Sequence, residues 1–317
     1  MVIYLDAPAG ACLYEVTRWS QIWMAASREV LLKAREFSYV RPTTVEDALG
    51  AYAGSGDDAS YIAGGQSLVP ALAMRLQAPS LLVDISRIES LKGIVLQDGW
   101  LRIGALTRHF ETLGDPLIRK HAPLLSEAAP YVAHPAIRNK GTLGGSVALA
   151  DPASEFPAIV LALGAQMEIA GPSGSRRVAA DDFFVDLYQT ALEPGELLVA
   201  LHVPAVKPNQ RWAFDELARR RGDYAIVGAG VIASFEGGTV TDARIVFISV
   251  GSIPVRARSA EAALTGHVLD AVTIQLAQAA LEADLDPPDD KHMTATMRMH
   301  LARVLLGRLL HRVMEAA

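Results

Sequence analysis

Two glycine pairs in this chain stand where a backbone could grip an anion. The first lies in Ala63-Gly64-Gly65-Gln66-Ser67-Leu68-Val69-Pro70, after a short apolar stretch and before a helical one. Paired glycines reach positive φ and approach a ligand with no β-carbon in the way. Amides at the start of a helix then favour a negative group, through free N–H donors and the helix dipole, and Ser67 adds a hydroxyl. A plain tight turn would use the same residues. The second pair lies in Thr142-Leu143-Gly144-Gly145-Ser146, followed by Asp151-Pro152-Ala153-Ser154-Glu155. It repeats the formula of hydroxyl, two glycines, hydroxyl, then acids and a helix. A pyrophosphate carries two negative groups and needs donors from both sides, so two such loops in one domain suit a dinucleotide better than a lone phosphate. The Glu155 carboxylate suits the hydroxyls of a ribose or ribityl chain; its alternative role is to complete a cap at its own helix start.

Competing motifs are weaker. Gly228-Ala229-Gly230-Val231-Ile232-Ala233 matches G-x-G-x-x-G/A, a pattern that requires a helix to begin at the glycines. Here the chain runs on through Ser234-Phe235-Glu236 to Gly237-Gly238, which reads as a strand and a turn. The sequence holds no G-x-S-x-G elbow, no H-E-x-x-H and no G-x-x-x-x-G-K-[ST] loop. His109, His121 and His134 are too far apart in sequence to suggest one metal site. Without an acid–base pair or a nucleophile, the chemistry falls to a cofactor.

The elements that must position these loops alternate along the chain. Thr43-Thr44-Val45-Glu46 opens a helix. Tyr61 to Ala63 reads as a strand, Leu68 to Leu76 as a helix stopped at Ala78-Pro79, and Leu81 to Ile85 as a buried strand. This β-loop-α-β order indicates a small α/β subdomain. Gly93 to Leu96 and Leu101 to Gly104 form a hairpin turned at Asp98-Gly99. A helix is expected over Ala153 to Leu163, and strands ending at Val199 to Val203. Pro204 to Gln210 is the linker candidate. Beyond it come strands at Trp212 to Leu217, Tyr224 to Phe235 and Ala243 to Val250, then helices from Ala257.

Composition bounds the rest. The 317 residues exceed one small core and suit two domains or more. A net charge of −6 disfavours nucleic acid, which needs concentrated positive charge; the short run Arg219-Arg220-Arg221 reads as a solvated or locally paired face. Cys12 is the only cysteine, which rules out internal disulfides and four-cysteine metal or cluster sites within the chain. No apolar run reaches the roughly 20 residues of a membrane helix, and Asp6, Glu15 and Arg18 interrupt any signal-peptide core. A soluble, cytoplasmic protein is expected. Residues 1–32 do not match the rest of the chain and read as an N-terminal extension, with an amphipathic helix over Thr17 to Leu32.

Taken in order, the two loops together with Ala150-Asp151-Pro152, Arg35-Glu36-Phe37-Ser38-Tyr39, Ile103-Gly104-Ala105-Leu106-Thr107 and Ala218-Arg219-Arg220-Arg221-Gly222-Asp223-Tyr224-Ala225 resemble the FAD-binding medium subunit of molybdenum hydroxylases, the family of xanthine dehydrogenase and aerobic carbon monoxide dehydrogenase. The resemblance runs from about Lys33 to the C-terminus. It implies an α+β fold: an FAD-binding domain of the vanillyl-alcohol-oxidase (PCMH) type over 33–207, in subdomains of about 33–90 and 91–207. A C-terminal α+β domain over 208–317 follows, with a small antiparallel sheet and helices.

By motif matching, the resemblance assigns FAD contacts to Ala63, Gly64, Gly65, Gln66, Ser67, Leu68 and Val69, and to Thr142, Leu143, Gly144, Gly145 and Ser146. Glu155 falls at an acidic ribityl contact, and Val132 and Leu198 fall near positions that flank the isoalloxazine. No residue is expected to be catalytic and none to bind metal. Some relatives have a lysine near the flavin where this chain has Asp215-Glu216. The implied function is electron transfer: a large molybdenum-cofactor subunit oxidises substrate, electrons pass through two [2Fe–2S] clusters of a small subunit to this FAD, and an external acceptor removes them. The implied assembly is a dimer of heterotrimers. A free-standing FAD-dependent oxidoreductase of the same fold is the alternative, and a binding module for another nucleotide a third reading.

Overall fold

The computed structural model describes residues 33–315, apart from 57 and 292. The helix expected over Thr17 to Leu32 therefore lies outside the described residues. These residues fall into two units, one of 33–36 with 68–78, the other of 37–67 with 79–315.

The smaller unit contains the helix Leu68–Ala73. It ends earlier than the expected Leu76 because Arg75 turns left-handed (φ 57°) and the Leu76 amide reaches back to the Ala71 carbonyl at 2.9 Å. Such a left-handed residue closes a helix by satisfying its last carbonyls. Arg75 Nε also donates to the Lys33 carbonyl at 3.1 Å.

In the larger unit, β1 (Ser38–Val40), β2 (Ala59–Ile62) and β3 (Leu81–Asp84) form a parallel sheet in the order β1-β3-β2. The helix Val45–Ala53 packs against it, capped as expected by Thr44, whose hydroxyl accepts from the Asp47 amide at 3.1 Å. Parallel strands present their carboxyl ends to ligands, and the Ala63–Ser67 segment leaves β2 at that end.

A five-stranded antiparallel sheet follows, from β4 (Ile94–Gln97), β5 (Trp100–Gly104), β6 (Gln166–Gly171), β7 (Gly174–Ala179) and β10 (Leu197–Pro204), ordered β4-β5-β10-β6-β7. The β4–β5 hairpin turns at Asp98-Gly99, both left-handed (φ 52° and 77°), as the sequence predicts. β8 (Phe184–Asp186) and β9 (Gln189–Thr190) form a separate short hairpin. Short helices between β5 and β6, together with the helices Leu143–Leu149 and Glu155–Ala162, cover one face of the large sheet with Leu101, Ile103, Met167 and Ile169 at the core.

The last sheet is antiparallel and ordered β11-β12-β13-β14, from β11 (Gln210–Ala218), β12 (Ala225–Glu236), β13 (Thr239–Ile248) and β14 (Val255–Arg256). Gly228 to Ala233 lies inside β12, and Gly237-Gly238 turns it into β13, so the G-x-G-x-x-A match is a strand. Its small residues have a packing role: a β-carbon on Gly230 would lie 3.2 Å from Ile159 Cδ1, on the helix Glu155–Ala162. The opposite face buries Val227, Ala229 and Val231 under the helices Arg258–Leu264, Ala271–Asp284 and Ala295–Glu315. Arg219, Arg220 and Arg221 are exposed. Among the described residues, no helix is long and apolar enough to cross a membrane.

Candidate functional site

The two glycine loops meet through their backbones. A β-carbon on Gly64 would collide with the Lys140 carbonyl oxygen and come within 2.8 Å of Gly141 Cα, so only glycine lets the first loop lie this close to the second. Gly65 beside it is left-handed, φ 70°. Among the described residues, none accepts a hydrogen bond from the amides of Gly64, Gly65, Gln66 or Ser67, or from the Ser67 hydroxyl. Gln66 instead turns its side-chain amide onto the Gly64 carbonyl at 3.0 Å. This loop is a run of open donors, the arrangement that receives an anion. Ala63 precedes it directly, while Leu68 and Val69 open the helix of the smaller unit.

The second loop has its amides committed. The Leu143 amide donates to the Thr107 carbonyl at 2.8 Å, and that of Gly144 to the Ala105 carbonyl at 2.9 Å. The Gly145 amide donates to the Thr142 hydroxyl, which caps the helix Leu143–Leu149, at 3.1 Å. The sequence expectation of helix-start amides free for an anion therefore does not describe Leu143, Gly144 or Gly145. Their role in the structure is rigidity: a β-carbon on Gly144 would lie 2.5 Å from Ala105 Cβ, so this backbone rests directly on the Ala105–Thr107 segment. Gly145 alone of the loop is exposed, and the Ser146 hydroxyl has no partner among the described residues.

Leu198 and Val132 are both buried in the core between these elements. Leu198 sits at a bulge in β10, and the next residue, Val199, accepts the Ala105 amide at 2.9 Å, which ties that strand to the second loop. Arg138 Nη1 donates to the carbonyls of Val132 and Ala133, at 2.8 and 2.9 Å, and fixes the segment around Val132. Ala133 is left-handed (φ 42°), and a β-carbon on Gly222 would lie 2.7 Å from its carbonyl oxygen.

Glu155 opens the helix Glu155–Ala162 in an acidic recess that sequence reading did not assemble. Burial pushes its carboxyl up to about 7, with Asp151 adding to the shift while its own backbone amide and Arg138 oppose it. Glu216 pairs with Gly228 across β11 and β12, one step from the Phe214–Gly230 pair that meets Ile159, and so faces the same helix. Its Oε2 is buried without a partner, and burial, then Glu155 and Asp215, push it up to about 8. Asp151 is buried and accepts the Ala153 amide at 2.9 Å, and burial first, then the Asp151 charge, pushes the phenols of the exposed Tyr188 and Tyr224 up. Tyr131 completes the group by donating to Asp215 at 3.1 Å. The periodicity of β11 and β12 carried the signal for Glu216, since a carboxylate opposite a glycine in a strand pair must face whatever packs on that glycine.

The arrangement fits FAD. Open amides and a hydroxyl on one loop suit a diphosphate, and a separate recess of carboxyl acceptors suits a chain of hydroxyl donors while disfavouring phosphate. The carboxylates and the open amides lie on different segments, as a molecule with an anionic middle and a polyhydroxyl arm requires.

Residues 35–206 match a family model described as the FAD binding domain in molybdopterin dehydrogenase, and residues 212–313 one described as the CO dehydrogenase flavoprotein C-terminal domain. The 6-hydroxypseudooxynicotine dehydrogenase complex subunit alpha of Paenarthrobacter nicotinovorans is 42% identical, over 90% of this chain and 97% of its own length. Quinoline 2-oxidoreductase from Pseudomonas putida 86 has a chain that superposes with a TM-score of 0.86 at 40% identity, covering 90% of this chain and 99% of that one. Reconstituted CO dehydrogenase from Oligotropha carboxidovorans gives a TM-score of 0.87 at 36% identity, with the same coverage.

Proposed function

Because this chain belongs to the family of FAD-binding medium subunits of molybdenum hydroxylases, we propose that it passes electrons from the [2Fe–2S] clusters of a small partner subunit, through FAD, to an external acceptor. The organic substrate is oxidised on a large partner subunit that holds the molybdenum cofactor, and the assembly is a dimer of such heterotrimers in the cytoplasm. Bound FAD supplies a centre that takes up electrons one at a time and releases them singly or in pairs.

The residues of this chain bind and orient it. The open amides of Gly64, Gly65 and Gln66, with the Ser67 hydroxyl, hold the diphosphate. The Thr142–Ser146 loop is the rigid wall opposite, offering the exposed Gly145 and the Ser146 hydroxyl. Glu155 accepts from the ribityl hydroxyls. Val132, held by Arg138, and Leu198, held at its bulge, flank the isoalloxazine and keep water from it. The observation that carries this reading is the backbone contact of Gly64 with Lys140 and Gly141, which makes one cradle of two distant segments.

The test is to purify the chain from its native host and record its absorption spectrum, mass composition and metal content. One FAD per chain with two co-purifying subunits carrying iron, sulfur and molybdenum is the expected result. FAD without partners would replace this reading by a free-standing flavoenzyme, and absence of flavin after incubation with FAD would overturn it altogether.

A further inference from the structure

His109 has no part in the assignments above, yet it holds the backbone at the start of the second glycine segment. It is 6% exposed. Its backbone amide donates to the Gly141 carbonyl at 3.0 Å, and its Nε2 lies 2.9 Å from the Thr142 carbonyl. A carbonyl only accepts, so Nε2 carries the hydrogen and the ring is held as the Nε2–H tautomer. Nδ1 is then a bare lone pair, buried with no partner among the described residues. One edge of the ring lies against Gly141, where a β-carbon would come within 3.0 Å of Cε1, and Phe156 packs on the ring edge-on at 5.0 Å between centroids. Phe156 directly follows Glu155. His109 therefore bridges the end of one glycine loop and the start of the helix that carries the acidic recess.

We propose that His109 is a positioning residue for the flavin: its neutral imidazole latches the Gly141–Thr142 backbone to the helix Glu155–Ala162, and its protonation releases that latch. The proposal rests on the FAD reading above. A second proton could reside only on Nδ1, where no acceptor waits and where charge would be buried. Burial accordingly lowers the group to about 4, against the Thr142 hydrogen bond and with help from Arg138. The other charged groups on the surrounding elements are engaged elsewhere. Arg108 donates to the Asn139 carbonyl, Glu111 accepts the Arg108 amide, and Glu155 faces Asp151 and Glu216. No carboxylate stands ready to stabilise an imidazolium.

The test is a titration of the full chain with FAD, followed by flavin fluorescence, for wild type, His109→Phe and His109→Gln. Loss of one buried hydrogen bond to the loop predicts about tenfold weaker binding for His109→Phe. Glutamine keeps a neutral N–H donor and restores binding to within about threefold. Wild-type affinity falls as pH drops through about 4, where the folded ring takes up its proton, and His109→Gln lacks this fall. Nitrogen-15 NMR of the histidines reads the latch even where a variant does not fold: at neutral pH, Nε2 of His109 is protonated, Nδ1 is bare, and the Nε2–H signal shifts when FAD is added. Equal FAD affinity in His109→Phe, an unchanged acid response in His109→Gln, or an Nδ1–H tautomer would each overturn the latch while leaving the FAD reading intact. A wild-type chain that takes up no FAD would overturn both.

Discussion

Gly64 and Lys140 touch through backbone alone: the glycine Cα lies so close to the lysine carbonyl that no β-carbon fits between them. The two residues are 76 positions apart, and their contact fixes the distance between the open donors of the first loop and the rigid backbone of the second.

That relationship predicts the effect of Gly64→Ala. The added methyl must displace backbone rather than a flexible side chain, and overpacking of this kind costs about 1–3 kcal/mol. Because the displaced backbone is the wall of the cradle, FAD binding weakens by about tenfold or more, as a flavin titration reads. Gly145→Ala is the control: its β-carbon meets only the Thr142 hydroxyl, at 2.8 Å, so its effect on binding is smaller. Equal effects of the two substitutions would contradict the shared-wall geometry.

Glu216→Gln tests the acidic recess. The folded carboxyl is raised to about 8, above its ordinary 4.5, so the native state holds a proton that the unfolded chain releases. A raised group stabilises fully below its unfolded value, and that stability is lost as pH climbs from 4.5 through about 8. Glutamine keeps the neutral form at every pH. The variant therefore melts at the same temperature as wild type near 4.5 and at a higher temperature above 8, in thermal unfolding followed by circular dichroism. A lower melting temperature on the alkaline side would show that Glu216 is instead held as a carboxylate.

The parts legible in the sequence were those fixed by local chemistry. Asp98-Gly99 and Gly237-Gly238 announce their turns because few residues tolerate left-handed backbone. Thr44 announces a cap, and the run from Gly228 to Glu236 announces a strand by failing to begin a helix. The first glycine pair was legible as a loop, but the second lies in the first turn of the helix Leu143–Leu149, and the division of labour between them was not legible. That the amides of Leu143 and Gly144 are spent on Thr107 and Ala105 depends on a segment some 35 residues earlier, which no local pattern reports. The Glu155–Glu216 recess was hidden for the same reason. One member opens a helix, the other lies on a strand of the last sheet opposite Gly228, and only packing of that helix over Gly230, on the same face of the strand, brings them together.

Asp181 is expected to govern stability without touching the flavin. Its carboxylate accepts from Arg244 at 3.0 Å, Arg256 at 2.9 Å and Arg258 at 2.7 Å, joining the segment after β7 to β13, β14 and the helix beyond them. Arg256 and Arg244 hold it below the usual carboxylate range, against the opposing effect of burial. Asp181→Ala leaves three guanidinium groups around an apolar methyl. Partial exposure of the network limits the cost to about 1–2 kcal/mol, read as a lower urea midpoint at unchanged slope. FAD affinity should be unchanged, and a loss of affinity equal to that of Gly64→Ala would show that this network also shapes the cradle.

The acid limb of stability should separate into two windows. His109 is depressed from 6.5 to about 4, so its contribution is complete above 6.5 and is lost as pH falls through about 4, when the unfolded chain takes up a proton that the folded ring refuses. Each tenfold loss of proton affinity is worth about 1.4 kcal/mol, so the depressed ring contributes about 3 kcal/mol. Glu168, held down by His202 at 2.6 Å and Arg102 at 3.2 Å against the opposing effect of burial, acts later: its contribution is present above 4.5 and is lost only below that value. In a Glu155→Gln/Glu216→Gln background, which removes the opposing rise that those two raised carboxyls give as pH falls towards 4.5, urea unfolding from pH 7 downwards should thus show a first decline between 6.5 and 4 and a second beneath it. His109→Gln removes the first decline and keeps the second, whereas Glu168→Gln does the reverse. A single decline shared by both variants would mean that neither buried group sets the acid response.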